Sequence, residues 1–154
     1  MISSLDKSAK YDVYKLVNHG YKETMGRIGK FPFPMSVEEA LSYIKNKLEI
    51  PVLRYAGNRD RLVEKIAILG GAGAEFAEVA KSMGADLYLT GDLKYHEAQD
   101  AAMNGLVIAD GGHFYTERVI IPYLAKRLRD EFKTRGWNVG VLEDVRAKDI
   151  FHCV

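Results

Sequence analysis

Three apolar runs, each closing on glycine, constrain this chain more than any other feature: IAILGG at Ile66 to Gly71, DLYLTG at Asp86 to Gly91 and LVIADGG at Leu106 to Gly112. Short apolar runs that stop at glycine read as buried strands. The stretches between them, Ala74 to Met83 and Lys94 to Asn104, read as helices. Parallel neighbours need a crossover, and a helix supplies it. The alternation therefore predicts an α/β fold, a mainly parallel sheet flanked by helices.

The flanking segments extend this frame. YDVYKLV at Tyr11 to Val17 alternates with period two and predicts an opening strand. Gly20, Gly26 and Gly29, followed by FPFP at Phe31 to Pro34, predict a structured loop in which no long strand persists. Ser36 and Glu39 stand at capping-box spacing ahead of an apolar stripe at Val37, Leu41, Ile44 and Leu48, so a helix is expected from Ser36 to Glu49. A short run VLRYA and a turn at Gly57 to Asp60 lead into a strand over Leu62 to Leu69. A last helix is expected over Thr116 to Arg135 and a closing strand over Trp137 to Leu142. The chain reads as one α/β domain over residues 1–154, with a flexible lead through Lys10, an opening strand and loop over 11–35, and a core over 36–142.

Composition excludes several function classes. With 154 residues and 47% hydrophobic residues, the chain can bury a core, because a domain of this size hides roughly two-thirds of its surface on folding. The 22 basic and 21 acidic side chains nearly cancel and are scattered, so nucleic acid is not an expected partner. Cys153 is the single cysteine, which excludes a disulfide framework and points to a reducing compartment, the cytoplasm. No apolar run approaches the roughly 20 residues of a membrane span, and Met1 to Lys10 has no apolar core for a signal peptide.

In an open parallel sheet, ligands sit beyond the carboxyl ends of the strands, so chemistry is sought at the three strand-to-helix corners. GGAGAEF at Gly70 to Phe76 offers glycines that either admit an anion to backbone N–H groups or serve a tight turn. It is not a phosphate loop, because no Gly-Lys-Ser/Thr follows, and Phe76 replaces the third glycine of a dinucleotide fingerprint. TGDLKYHEA at Thr90 to Ala98 puts Asp92 and His96 at i,i+4 spacing, either an acid/base pair or an N-cap with an ordinary helical histidine. DGGHFYTER at Asp110 to Arg118 puts His113 four residues before Glu117. Imidazole nitrogen and carboxylate oxygen can share one borderline divalent cation. Equally, Glu117 can simply complement the positive end of a helix.

Taken in order, GGAGAEF, SMGADLYLTGDLKYHEAQDA and NGLVIADGGHFYTER resemble the C-terminal part of the NGG-interacting factor 3 family, also labelled GTP cyclohydrolase 1 type 2 homologues. YDVY at Tyr11 to Tyr14, GRIG at Gly26 to Gly29 and PMSVEEA at Pro34 to Ala40 look like the segment leading into it, and the resemblance runs from about Ala9 to Phe132. It implies a pair of divalent metal ions (zinc, manganese, iron, magnesium or nickel), with His113 and Glu117 as the ligands from this half. The N-terminal half with its adjacent histidines has no counterpart, and neither His19 nor His152 resembles the missing ligands. The resemblance further implies a metal-dependent hydrolase acting on a small molecule such as a nucleotide, incomplete in this chain. In it Asp92 and His96 lie near the metal cleft and His96 is a candidate proton shuttle.

Two other readings compete. Family members form ring-like oligomers, so the chain is also expected as a homo-oligomeric binding or assembly module, with Tyr11, Tyr14, Tyr21, Phe31 and Phe33 as interface or core. A metal-free nucleotide-binding protein would use Gly70 and Gly71, with Asp92 about 20 positions on, near the spacing of a ribose-binding acid.

Overall fold

A computed structural model describes residues 25–152. The expected opening strand over 11–17, along with His19 and Cys153, lies outside them. Five strands form one sheet in the order β1-β3-β4-β5-β2. The strands are β1 (Arg27–Ser36), β2 (Arg54–Ala56), β3 (Leu62–Ala72), β4 (Leu87–Gly91) and β5 (Val107–Asp110). The helices are α1 (Val37–Leu48), α2 (Ala77–Ser82), α3 (Tyr95–Met103), α4 (His113–Glu117) and α5 (Ile120–Thr134).

The centre of the sheet is as the glycine-ended runs predict. β3, β4 and β5 run parallel, with Ile66 opposite Leu87 and Leu87 opposite Val107. Both edges are antiparallel, β1 on β3 and β2 on β5, so the sheet is mixed. Helices cover both faces. Leu87, Leu89, Val107 and Ala109 pack with Val37, Leu41 and Ile44 of α1. Their neighbours Tyr88 and Ile108 point the other way, toward Ala80 and Ala101 on α2 and α3. The period of two in a strand buried on both sides explains why these runs are apolar throughout.

Ser36 caps α1 as its spacing predicts. Its hydroxyl accepts the Glu39 N–H at 3.3 Å, and a Glu39 carboxylate oxygen accepts the Ser36 N–H at 2.8 Å. The FPFP segment departs from expectation, because it belongs to the ten-residue strand β1 rather than to a loop. Pro32 and Pro34 fall between the paired positions Lys30 and Met35, where the register with β3 shifts. An edge strand tolerates prolines at such an irregularity because the missing N–H groups are not required by the ladder.

The expected last helix is two helices. α4 starts at His113, earlier than Thr116, and the chain turns at Arg118 and Val119 before α5. Pro122 in the first turn of α5 has no N–H to bond Arg118, and Ile121 donates to the Arg118 carbonyl instead at 3.1 Å. The closing strand over Trp137 to Leu142 does not form. Trp137 lies against Phe132, with ring centroids 5.8 Å apart, and Arg129 holds the Val141 carbonyl at 3.0 Å, so the segment is tied to α5 instead of to the sheet.

One acidic side chain corrects the pleat of β3. Val63 and Ile66 both face α1, whereas Ala67 and Leu69 face α2 and α3, so the strict alternation slips between Val63 and Ile66. At that slip the N–H groups of Glu64 and Lys65 both donate to Asp86, at 3.0 and 2.9 Å, and Arg61 pairs with the same carboxylate at 2.6 Å. Burial pushes the Asp86 carboxyl up. The hydrogen bonds from Arg61, Lys65 and Glu64, with the Arg61 charge, outweigh it and hold the group below its ordinary 3.8. A depressed carboxyl stabilises the fold above its unfolded value and loses that contribution as pH falls through the folded value. Asp86→Asn is therefore expected to cost about 2 kcal/mol near neutral pH. The gap to wild type should close below pH 3.8 in urea melts followed across pH.

Candidate metal centre

The carboxyl ends of β3, β4 and β5 bring the three corners together. Asp110, at the end of β5, is 7% exposed and joins two of them. Its carboxylate accepts the Gly112 N–H at 3.0 Å from its own corner and the Leu93 N–H at 3.3 Å from the second. It also pairs with Arg54, its cross-strand partner on β2. Gly91 allows the contact to close, because a Cβ there would lie 2.9 Å from the Gly112 carbonyl carbon and 3.0 Å from the His113 nitrogen.

The first corner is fixed through the peptide groups of Gly71. Its N–H donates to the Thr116 hydroxyl at 3.0 Å, and its carbonyl accepts from the Thr90 hydroxyl at 2.9 Å. Both threonines are buried. Gly71 has φ +68, and a Cβ on it would meet a Glu117 carboxylate oxygen at 2.5 Å and the His113 ring at 3.2 Å. A Cβ on Gly70 would meet the Thr116 carbonyl at 2.8 Å. In this structure Gly70 and Gly71 form the floor under α4, a close approach of backbone to side chains that only glycine permits.

On that floor, α4 presents His113 and Glu117. Their i,i+4 spacing puts His113 Nε2 3.2 Å from Glu117 Oε2. On the other side of the ring, His113 Nδ1 lies 2.7 Å from Asp92 Oδ2. All three side chains are about half exposed. The Asp92 hydrogen bond raises the His113 pKa most; partial burial opposes it, and the Glu117 and Asp92 charges add to it. His113 thus sits between two carboxylates.

Of the residues singled out in the sequence, His113, Glu117, Asp92, Gly70 and Gly71 come together. His96 does not join them. It is exposed on α3, with its Nδ1 3.3 Å from Gln99 and its ring edge-to-face with Tyr95. Asp92 caps no helix, since the N-cap of α3 is Lys94, whose N–H is accepted by Glu97 at 2.9 Å. Asp110, Thr90 and Thr116 escaped the sequence reading. For Asp110 and Thr90 the only signal was a polar residue at the end of an apolar run, where burial forces it to find partners; Thr116, inside α4, gave none.

The cleft above the site, about 1170 Å³, is lined by Asp92, His113 and Glu117, with Arg54, Arg118 and His152 at its sides. An imidazole nitrogen and a carboxylate oxygen converging on one face suit a borderline divalent cation. Among the described residues, no group of three or more His, Cys, Asp and Glu side chains could hold one. The fit is thus to part of a ligand set. Gly71→Ala is expected to cost about 2 kcal/mol, from the positive φ and the clash with Glu117, as measured by the urea midpoint; Gly29→Ala, with open space at its Cβ, serves as the control.

Among known proteins, a GTP cyclohydrolase 1 type 2 homolog of Bacillus subtilis is 34% identical over 131 residues, covering 85% of this chain and 35% of that protein. A Clostridium perfringens protein of the same name is 35% identical over 84% of this chain and 48% of its own length. The chain thus spans between about a third and a half of these relatives. The crystal structure of a Bacillus cereus protein related to NIF3 matches with a TM-score of 0.81 and 34% identity, over 85% of this chain and 36% of that one. The profile of the family described as Duf34/NIF3 (NGG1p interacting factor 3) matches residues 3–148, and the chain belongs to that family.

Proposed function

We propose that this chain supplies one part of a divalent-metal site, with His113 Nε2 and the Glu117 carboxylate as ligands, in a metal-dependent hydrolase of the kind its relatives' name suggests. The observation that carries the reading is the convergence of these two groups at 3.2 Å over the Gly71 floor. When bound, a divalent ion supplies Lewis-acid activation of the bond to be hydrolysed. The chain's own residues do the rest. Thr116 and Thr90 hold the floor, and α4 sets the spacing of the two ligands. Arg54, Arg118 and Lys148 line the cleft and suit an anionic small molecule such as a nucleotide. Two ligands are too few for tight binding, so the remainder must come from outside the described residues, and turnover is not expected of these residues alone. His96, on the outer face of α3, is left without a part in the chemistry.

A metal and a proton compete for the same His113 nitrogen. Because the pKa of His113 is raised, binding is expected to weaken as pH falls through that raised value and to strengthen above it. Calorimetric titration with zinc or manganese should show weak binding that improves from about pH 6 to about pH 8. The double variant His113→Ala, Glu117→Ala should lose it. Equal binding by the variant and wild type would remove the proposal.

A second reading, a homo-oligomeric assembly module, is favoured by α5. Ile120, Tyr123 and Leu124 are 54%, 61% and 48% exposed, and Ala125 is the helix's one buried residue among those described. An amphipathic helix with its apolar stripe open to water is the form of an interface. Light scattering over a concentration series is expected to show self-association that Leu124→Glu abolishes. A monomer at the highest concentration would count against this reading.

A further inference from the structure

We propose that Asp92 is a positioning residue, whose carboxylate fixes His113 as the Nδ1–H tautomer and so presents the Nε2 lone pair to a divalent cation beside Glu117. This rests on the reading of His113 and Glu117 as ligands. Two observations carry it, one from the ring and one from the backbone.

Asp92 Oδ2 lies 2.7 Å from His113 Nδ1, and Glu117 Oε2 lies 3.2 Å from Nε2. The two ring nitrogens point away from each other, so a carboxylate bonded to Nδ1 stands outside the coordination sphere of an ion at Nε2. An ionised carboxylate only accepts hydrogen bonds. A neutral imidazole beside it therefore carries its proton on Nδ1, and Nε2 is left free as a donor to metal.

The backbone shows that this contact is held against local preference. Asp92 has φ +56, and the other non-glycine residue with positive φ among those described is Glu49. Glu49 is the C-cap of α1, where a left-handed residue is ordinary. Asp92 has no capping role, since α3 begins after Lys94. Its side chain makes one hydrogen bond among the described residues, the one to His113. The preceding Gly91 lies against Gly112 and the His113 nitrogen, so the corner of β4 is pressed onto the start of α4. The left-handed turn at Asp92 then aims its carboxylate across that contact. Strain retained at one polar residue beside a candidate site is a mark of function rather than stability.

Asp92→Gly separates the two roles, because glycine relieves the positive φ while removing the carboxylate. This variant should melt no lower than wild type. It should bind zinc at least tenfold more weakly with unchanged stoichiometry, the size of effect usual when a partner of a ligating histidine is lost. In the metal-free chain at alkaline pH, ¹⁵N spectra of the His113 ring should show the Nδ1–H tautomer in wild type and a mixture in Asp92→Gly. Asp92→Asn, whose amide can donate as well as accept, should lie between them. An unchanged tautomer, or an unchanged zinc affinity, would overturn the proposal. So would a drop in stoichiometry, which would make Asp92 a ligand itself. Because the ring spectrum is read without metal, a chain that holds Nδ1–H but takes up no zinc would overturn the metal reading alone.

Discussion

The buried carboxylate of Asp110 is the interaction on which the site depends. It sits at the end of β5 and is almost wholly removed from water, so its oxygens must find donors or destabilise the fold. The donors available are the backbone of its own corner at Gly112, the backbone of the neighbouring corner at Leu93, and the guanidinium of Arg54 across the β5–β2 pair. Satisfying one buried charge thus brings two strand ends into register and secures the short edge strand β2. Together with the Gly111 N–H that bonds the Thr90 carbonyl at 2.9 Å, that closure joins the corners from which Asp92 and His113 come.

The threonine pair at Gly71 does the same for the first corner. Gly71 lies where the register of β3 with β4 shifts, and each of its peptide groups is met by a buried hydroxyl, Thr116 on the N–H and Thr90 on the carbonyl. Thr116 lies in α4 between His113 and Glu117, so the residue that anchors the helix is flanked by the residues the helix presents. Anchor and candidate ligands share the five residues of α4. Any displacement of Gly71 is transmitted directly to the geometry of the pair above it.

Much of this architecture is legible in the sequence, and the failures have physical causes. The three central strands follow from apolar runs closed by glycine, and α1 from the Ser36–Glu39 capping box, because both signals are local. The β1 strand is hidden by FPFP, since a proline rule that holds in a central strand relaxes at an irregular edge. Trp137 to Leu142 alternates as a strand should, but Trp137 lies against Phe132 and Arg129 holds the Val141 carbonyl, so the segment follows α5. His113 and Glu117 are visible as a pair through their spacing. The pairing of Asp92 with His113 instead of His96 is not visible, because it depends on a left-handed backbone at Asp92 and on two corners closing through Asp110.

The electrostatics of the cluster give the site its direction. The hydrogen bond to Asp92 raises the His113 pKa most, and the Glu117 and Asp92 charges add to it. Under the proposed metal reading, a divalent cation would compete with a proton for His113 Nε2. Half exposure keeps the proton-bound form from being strongly stabilised, since water screens the two ion pairs. Placed at the rim of a wide cleft, the cluster keeps one face open, the arrangement the proposed ligand pair would need for further ligands to arrive from elsewhere.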